Sequence, residues 1–237
     1  MTGRIDVHSH LLPGIDDGCK TIDESIACAR MMVEAGYTHS FCTPHVWPSL
    51  PLNTADNIRR MVADLQIALE TAKIPLRLLP GGEINLREDT LHTAPESLVS
   101  YDMAGRHVLV DLWAEKLPSF FAPNVRWLQS RGAKVILAHP ERMRAVQADP
   151  ELADHFAELG MLLQGNLQCF GDPPHAETRQ VAERYLAEKR YFMLGSDLHN
   201  LKSLPIRIAG LYRVMELIGE DGAWELTSTN PSKLLPS

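Results

Sequence analysis

Short apolar runs alternate along the chain with longer segments in which apolar residues recur every three or four positions. Ile5–Val7 is the first run and predicts a strand. Thr21-x-x-Glu24 then has the form of a capping box, opening a helix with Ile22, Ile26, Ala29 and Val33 on one side and Gly36 at its end. Thr38–Thr43 predicts the second strand, and Thr54 caps a helix that carries Ile58, Met61, Val62, Leu65 and Leu69 at helical spacing. Leu76–Leu79 and Val108–Leu112 predict the third and fourth strands. A short helix is expected from Pro123 to Gly132, a fifth strand at Val135–Ala138, and a helix from Asp149-Pro150 to Gly160. Met161–Leu163 begins the sixth strand. A polar helix over about 177–189 precedes the seventh, Tyr191–Leu194. From Pro205 the chain is expected to be helical, with a last short helix at Asn230-Pro231. Strands separated by helices of this length imply βα units and a parallel sheet, and about seven units suit a closed or nearly closed α/β barrel. The length of 237 residues fits one such domain, 1–237, without linker or repeat. The loop Val46–Asn53, with two prolines and a tryptophan, is the most irregular piece and is expected to border a pocket.

Polar residues of a particular kind follow the strands. After the first come His8-Ser9-His10 and Asp16-Asp17-Gly18; after the second, Thr43-Pro44-His45; after the third, Gly81-Gly82-Glu83. Asp111 lies within the fourth, His139-Pro140-Glu141-Arg142 follows the fifth, Asn166 the sixth, and Ser196-Asp197-Leu198-His199 the seventh. In a βα barrel the C-terminal strand ends converge on one mouth, so these imidazoles and carboxylates would face one another. His with Asp or Glu and no thiolate suits Zn²⁺, Mn²⁺ or Fe. The candidates outnumber what one ion needs, so two or three ions bridged by carboxylates are expected. His8 and His10, two apart on a strand, point to one face, and Asp197 with His199 repeats that spacing. Any one of these residues alone is as readily a turn or cap residue, Asp16 and Asp17 before Gly18 included; the repetition at nearly every strand end is what points to a site. His39, His92, His107, His155 and His175 have no partners at ligand spacing and are taken as surface or packing residues.

Composition narrows the classes further. Lys plus Arg number 23 against 30 Asp plus Glu, a net charge of −7, which disfavours a nucleic-acid or anionic-membrane partner. No apolar run approaches a membrane span and no signal-peptide core follows Met1, so a cytoplasmic location is expected. Cys19, Cys28, Cys42 and Cys169 form no C-x-x-C pair and are expected to be free thiols. Cys42 is not followed by the C-x5-R loop with which a cysteine nucleophile cradles a phosphate.

The ordered set Asp6-Val7-His8-Ser9-His10, Gly14-Ile15-Asp16-Asp17-Gly18, Thr43-Pro44-His45, Gly82-Glu83-Ile84, His139-Pro140-Glu141-Arg142 and Ser196-Asp197-Leu198-His199-Asn200 resembles the PHP (polymerase and histidinol phosphatase) superfamily. Within it the chain is most similar to the bacterial manganese-dependent protein-tyrosine phosphatases of capsule and exopolysaccharide operons. The resemblance implies a distorted (β/α)7 TIM-like barrel with metals at its mouth. It further implies His8, His10, Asp17, His45, Glu83, Asp111, His139, Asp197 and His199 as metal ligands, with Glu83 bridging two ions. Arg142 would contact the phosphate, and Mn²⁺ is the first choice of metal, with Fe or Zn²⁺ as alternatives and two or three ions per chain. A phosphotyrosine protein is the implied substrate, with a tyrosine kinase of polysaccharide export as the implied partner. The chain departs from the family pattern at two places. Asp111 stands where Glu is usual, and His45 is followed by Val46-Trp47-Pro48 where basic residues are common. Lys116, Arg144, Lys202 and Arg207 are the cations that could compensate from other loops.

Such a site suits hydrolysis of a phosphomonoester by a metal-bridged hydroxide, with Arg142 donating to the developing charge. Asp197 or His199 would serve as proton donor only where not committed to metal. The alternatives are a histidinol-phosphate or other small-molecule phosphatase with the same metal site, cleavage of a phosphodiester, and a metal-bound regulatory module without turnover.

Overall fold

The computed structural model describes residues 3–92, 98–103 and 105–236. Among them nine strands form, two more than the sequence pattern predicts, because two of the expected strands are broken and resume after a polar corner. The strands are β1 (Arg4–Ser9), β2 (Tyr37–Cys42), β3 (His45–Val46), β4 (Arg77–Pro80), β5 (Glu83–Asn85), β6 (His107–Asp111), β7 (Lys134–Ala138), β8 (Leu162–Asn166) and β9 (Met193–Gly195). All pairings between them are parallel, in the orders β1-β2-β4 and β3-β5-β6-β7-β8-β9. The corners are Thr43-Pro44 and Gly81-Gly82. Proline offers no N–H to a ladder, so a break at Pro44 follows from its chemistry. Each corner re-registers its strand onto the second sheet, with His45 opposite Glu83 and Asn85 opposite Asp111. The last strand returns to the first: Ser9 and Leu198 form an isolated parallel bridge, Asp197 N donates to His8 O at 2.7 Å, and His10 N donates to Leu198 O at 2.7 Å. Seven strand paths thus make a ring, the distorted (β/α)7 barrel that the sequence implied.

The helices follow the amphipathic segments. The first, α1 (Ile22–Glu34), begins at Thr21, whose hydroxyl accepts from Glu24 N at 3.2 Å. The Glu24 carboxylate reaches back to Lys20 N at 2.9 Å, one residue earlier than in the usual box. In α2 (Ala55–Thr71) Thr54 caps Asn57 N, and Ile58, Val62, Leu65 and Leu69 are buried. The helix α3 (Phe121–Ser130) starts two residues before the expected Pro123. The helix expected from Asp149-Pro150 to Gly160 is α5 (Leu152–Glu158), with Asp149 Oδ1 accepting from Glu151 N at 3.2 Å ahead of it, and a short helix that the pattern did not predict, α4 (Arg144–Ala148), precedes it. Beyond these lie α6 (Leu167–Gly171), α7 (Glu177–Ala187) and α8 (Leu204–Trp224).

Alternation along each strand divides the core. On β6 and β7, Val108, Val110, Val135 and Leu137 pack outward under the helices. Leu109, Ile136 and Ala138 pack inward with Ile5, Val7, Phe41, Leu79 and Met193, and Leu234 joins them. With a period of two, the next inward position after Leu109 is Asp111, so the apolar filling gives way to a carboxylate at the strand's C-terminal end. Among the described residues no helix is long and apolar enough to cross a membrane. The four cysteines are buried and free.

Candidate metal centre

The C-terminal strand ends bring nine side chains together. His8 lies in β1 and His10 directly follows it, and the β1–β2 ladder is irregular between Asp6 and Ser9, the stretch that delivers His8. Their Nε2 atoms are 3.3 Å apart. Asp197 Oδ1 lies 3.5 Å from His8 Nε2 and 3.3 Å from His10 Nε2. Glu83, fully buried at the start of β5, stands at the middle: Oε1 is 2.8 Å from His139 Nε2, and Oε2 is 2.7 Å from His45 Nδ1 and 3.4 Å from His8 Nε2. Asp17 sits at the rim, mostly exposed, 3.4 Å from His45 Nε2 and 3.5 Å from His199 Nε2. Four overlapping groups have ligand atoms within 4.8 Å of one another: His10, Asp17, His45 and His199; His8, His10 and Asp197; His8, Glu83 and His139; His45, Glu83 and Asp111. Every residue of the sequence-derived ligand set falls in at least one.

Two of these residues hold a left-handed backbone that side chains rarely adopt: His139 at φ 33° and Asp197 at φ 51°. Each directly follows or nearly follows a strand and is tied to its neighbour, His139 N donating to Gln164 O at 2.7 Å and Asp197 N to His8 O at 2.7 Å. The bend aims the side chain across the mouth instead of along the strand. Asp6, buried beneath, accepts from Ser196 N at 2.8 Å and Ser196 Oγ at 2.6 Å and so holds the turn that presents Asp197. Gly195 lets β9 come this close to β1, since a Cβ there would meet His8 Cβ at 2.7 Å.

The side chains behind the candidate ligands fix which nitrogen faces the centre. His8 Nδ1 is 2.8 Å from Gln164 Oε1, and the same amide donates its Nε2 to Gly165 O at 2.6 Å, so the oxygen is the one turned to His8. His10 Nδ1 donates to Asp16 Oδ2 at 2.7 Å, and His199 Nδ1 to Asp197 O at 2.8 Å. All three imidazoles therefore offer Nε2, the arrangement in which metal-binding histidines are oriented by their other ring nitrogen. Asp16, a turn residue as readily as Asp17 by local pattern and outside the ligand set that the resemblance implies, supports that set: it also accepts from Gly18 N at 2.9 Å and His45 N at 3.0 Å. Gln164, Asp6 and the supporting role of Asp16 escaped the reading along the chain because they act through other residues; only the period of two linking Gln164 to Asn166 on β8 hints that both face inward.

Electrostatics follow from crowding. Burial opposes ionisation of Glu83 and Asp197, yet the facing imidazoles outweigh it and hold both carboxyls well below the usual range. Reciprocally, burial would lower His8 and His10, but Glu83 and Asp197 beside the first and Asp16 and Asp197 beside the second raise them above an ordinary imidazole. Burial pushes Asp111 up to about 7, with the charge of Glu83 adding to it. Three buried atoms at this mouth have no hydrogen-bond partner: His45 Nδ1, Glu83 Oε2 and Asp111 Oδ2. The first two are close without the alignment of a hydrogen bond. Buried acceptors left facing one another are costly unless a cation joins them, so the donor set fits divalent metal.

Arg142, one-third exposed, donates Nη1 to Asp197 Oδ2 at 2.6 Å, where Asn166 Nδ2 also donates at 2.7 Å. Of the cations named as compensating for the missing basic residue after His45, Arg207 is excluded by its position. Its guanidinium is buried behind Ser196 and Asp197 and donates to both their carbonyls, at 2.8 and 2.9 Å. Lys116 and Lys202 are exposed, and Arg144 pairs with Glu177 at 3.5 Å. The loop after His45 does border a cavity, as expected: a cleft of about 500 Å³ is lined by Trp47, Pro48, Leu50 and Pro51 and by two arginines the sequence reading did not consider, Arg59 and Arg87. Each is paired with a neighbouring carboxylate, Asp56 at 2.8 Å and Asp89 respectively. Trp47 stacks on His45 with ring centroids 4.1 Å apart.

Comparison with known proteins agrees with this picture. Residues 4–236 match the family model described as capsular polysaccharide synthesis, CpsB/CapC. The tyrosine-protein phosphatase YwqE of Bacillus subtilis (strain 168) is 31% identical over 204 residues, 84% of this chain and 78% of that protein. A structure described as that of YwqE and of CpsB from Streptococcus pneumoniae, unique metal-dependent tyrosine phosphatases, superposes with a TM-score of 0.86 at 26% identity, covering 97% of this chain and 94% of the other. A phosphotriesterase homology protein from Escherichia coli, complexed with phosphate in its active site, shares the fold at a TM-score of 0.65 and 10% identity, over 98% of each chain. With its whole barrel and every candidate ligand inside the matched span, the chain belongs to the CpsB/CapC family of capsular polysaccharide synthesis.

Proposed function

We propose that this protein is a metal-dependent protein-tyrosine phosphatase. The observation that carries the reading is the buried, Glu83-centred cluster with three unpartnered ligand atoms and a guanidinium at its edge, in a chain of this family. His8, His10, Asp17, His45, Glu83, Asp111, His139, Asp197 and His199 would hold two or three ions, Mn²⁺ being the first choice. When bound, such ions neutralise phosphoryl oxygens and make a water acidic enough to supply hydroxide near neutral pH.

The chain's own residues supply the rest. Glu83 joins the two halves of the cluster through its two oxygens. Arg142 keeps N–H groups beyond the one given to Asp197, and these would bind the phosphate and the charge that grows on it during attack. Water oxygen bonds to phosphorus as the bond from phosphorus to the phenolic oxygen breaks, and tyrosine leaves as a phenolate that needs little protonation. Asp197 Oδ2 accepts from Arg142 and Asn166 and its Oδ1 faces His8 and His10, where it would share an ion with them, so Asp197 would hold metal and position Arg142 instead of acting as a proton donor. The substrate would be a phosphotyrosine protein, a tyrosine kinase of polysaccharide export being the candidate partner, and the four free thiols are in keeping with a cytoplasmic setting.

The test is phosphate release from a phosphotyrosine peptide by Mn²⁺-loaded protein, with histidinol phosphate alongside and a chelator as control. Chelator-sensitive release favouring the peptide is expected. Preference for the small ester would move the protein elsewhere among metal-dependent phosphatases, and metal bound without hydrolysis of either would leave a regulatory module.

A further inference from the structure

Trp113 is an indole that stands half in water at the edge of the mouth, with the Arg142 guanidinium over its ring. It follows β6 two residues after Asp111, so the strand's alternation brings it up at the same mouth, while Leu112 between them is buried in the core. Its side chain is 55% exposed, a large apolar ring kept in water beside a polar centre. The ring is 5.0 Å from the Arg142 guanidinium carbon and 6.0 Å from the His139 ring centroid, tilted at 42°. It walls a cavity of about 360 Å³ together with Arg142, Gln147, Thr178 and the Arg144–Glu177 ion pair, whose charges offset each other. Trp47, the other tryptophan at the mouth, is already stacked on His45, on the opposite side of Glu83. Trp113 therefore keeps about half of its surface in water beside Arg142.

An exposed flat ring next to a cation with N–H groups to spare matches a ligand that carries an anionic group on a flat apolar ring. Resting on the tyrosine-phosphatase reading above, we propose that Trp113 is a specificity-determining residue that receives the aryl ring of phosphotyrosine. The ring packs on the indole while the phosphoryl group turns to Arg142. Aromatic pairs gain over their area burial when offset or edge-on, and a ringless phosphoester gains nothing there. In this way the chain selects an aryl phosphate without the basic residues that are common after the second-strand histidine.

The experiment compares KM for a phosphotyrosine peptide with the inhibition constant of inorganic phosphate, which has no ring, in the Mn²⁺-loaded enzyme. Trp113→Ala is expected to raise KM roughly five- to tenfold, with kcat and the phosphate inhibition constant each within about twofold of the parent. Trp113→Phe should restore KM, whereas Trp113→Leu, which keeps apolar bulk without a ring and guards against misfolding of the alanine variant, should behave like alanine. Equal increases in KM and in the phosphate constant would overturn the proposal, because the indole would then act only by holding Arg142. An unchanged KM in Ala and Leu variants would overturn it as well. If the parent enzyme ignores the peptide, the tyrosine-phosphatase reading falls and takes this inference with it; if the parent is active and Trp113 is indifferent, only this inference falls.

Discussion

The mouth of the barrel has two halves built on different principles. On one side β1 and β9 close the ring, and the polar atoms of His8, His10 and Asp197 are held by Gln164, Asp16, Arg142 and Asn166 at 2.6 to 2.8 Å. On the other side β2 and β4 break and resume as two- and three-residue strands, and His45, Glu83 and Asp111 each leave a buried atom without a hydrogen-bond partner. In the first half protein partners hold the outer atoms of the candidate ligands, whereas in the second buried atoms are left without a partner among the described residues. Glu83 belongs to both, one oxygen turned to His139 and the other to His45. On the proposed reading, the hydrogen-bonded half would fix where Arg142 meets the phosphate, and the half with unpartnered atoms would depend more on metal.

The comparison can be broken most forcefully at its shared residue. Glu83→Gln should remove metal from both halves and lower turnover by at least about 10³-fold, the upper scale for losing one electrostatic stabiliser of a transition state. Metal content by mass spectrometry beside phosphate release checks this, and Asp197→Ala should likewise lose metal and activity together. Arg142→Ala separates binding of metal from use of it: turnover should fall about 10²- to 10³-fold with the metal content intact. Loss of metal in that variant would instead make Arg142 a structural clamp on Asp197.

Supporting residues give smaller and graded effects. Asp16→Ala and Gln164→Ala should weaken metal affinity by about 10- to 100-fold, the range for partners behind a ligand. Asp16 should matter more, since it holds both the His10 ring and the His45 backbone. Proton competition acts in the same direction. His8 and His10 are raised in the metal-free protein, so their protons must leave before ions bind, and affinity should rise with pH through and above the ordinary imidazole range. Calorimetric titration with Mn²⁺ should show about a tenfold gain per pH unit for each proton released. An affinity independent of pH would mean that these nitrogens are not displaced. The smallest change expected is in stability: Gly195→Ala crowds His8 and should destabilise by about 1–3 kcal/mol, roughly 2–4 °C in Tm for each kcal/mol in a chain this long.

Much of this was legible along the chain. Period-two and period-3.6 patterns gave the order of strands and helices, because burial of one face imposes that period locally. Residue types at strand ends gave the candidate ligands, because a parallel barrel sends all those ends to one mouth. The breaks at Thr43-Pro44 and Gly81-Gly82 were in view as turn-forming residues, yet their effect, a shift of two strands onto a second sheet, depends on neighbours far away in sequence. Local pattern did not separate Asp16 from Asp17, since both fit the same turn; the resemblance singled out Asp17, and only the contacts to His10 and His45 show what Asp16 does. The sequence alone therefore determined the kind of chemistry and the elements that deliver it. Tertiary structure decided the division of labour: which nitrogen each imidazole offers, which buried atoms wait for a cation, why Arg207 stands behind the site while Arg142 stands in it, and that Trp113 is left open beside that arginine. Those outcomes are set by distances and orientations between residues up to about 190 positions apart, such as Asp6 and Ser196, and no local period carries that information.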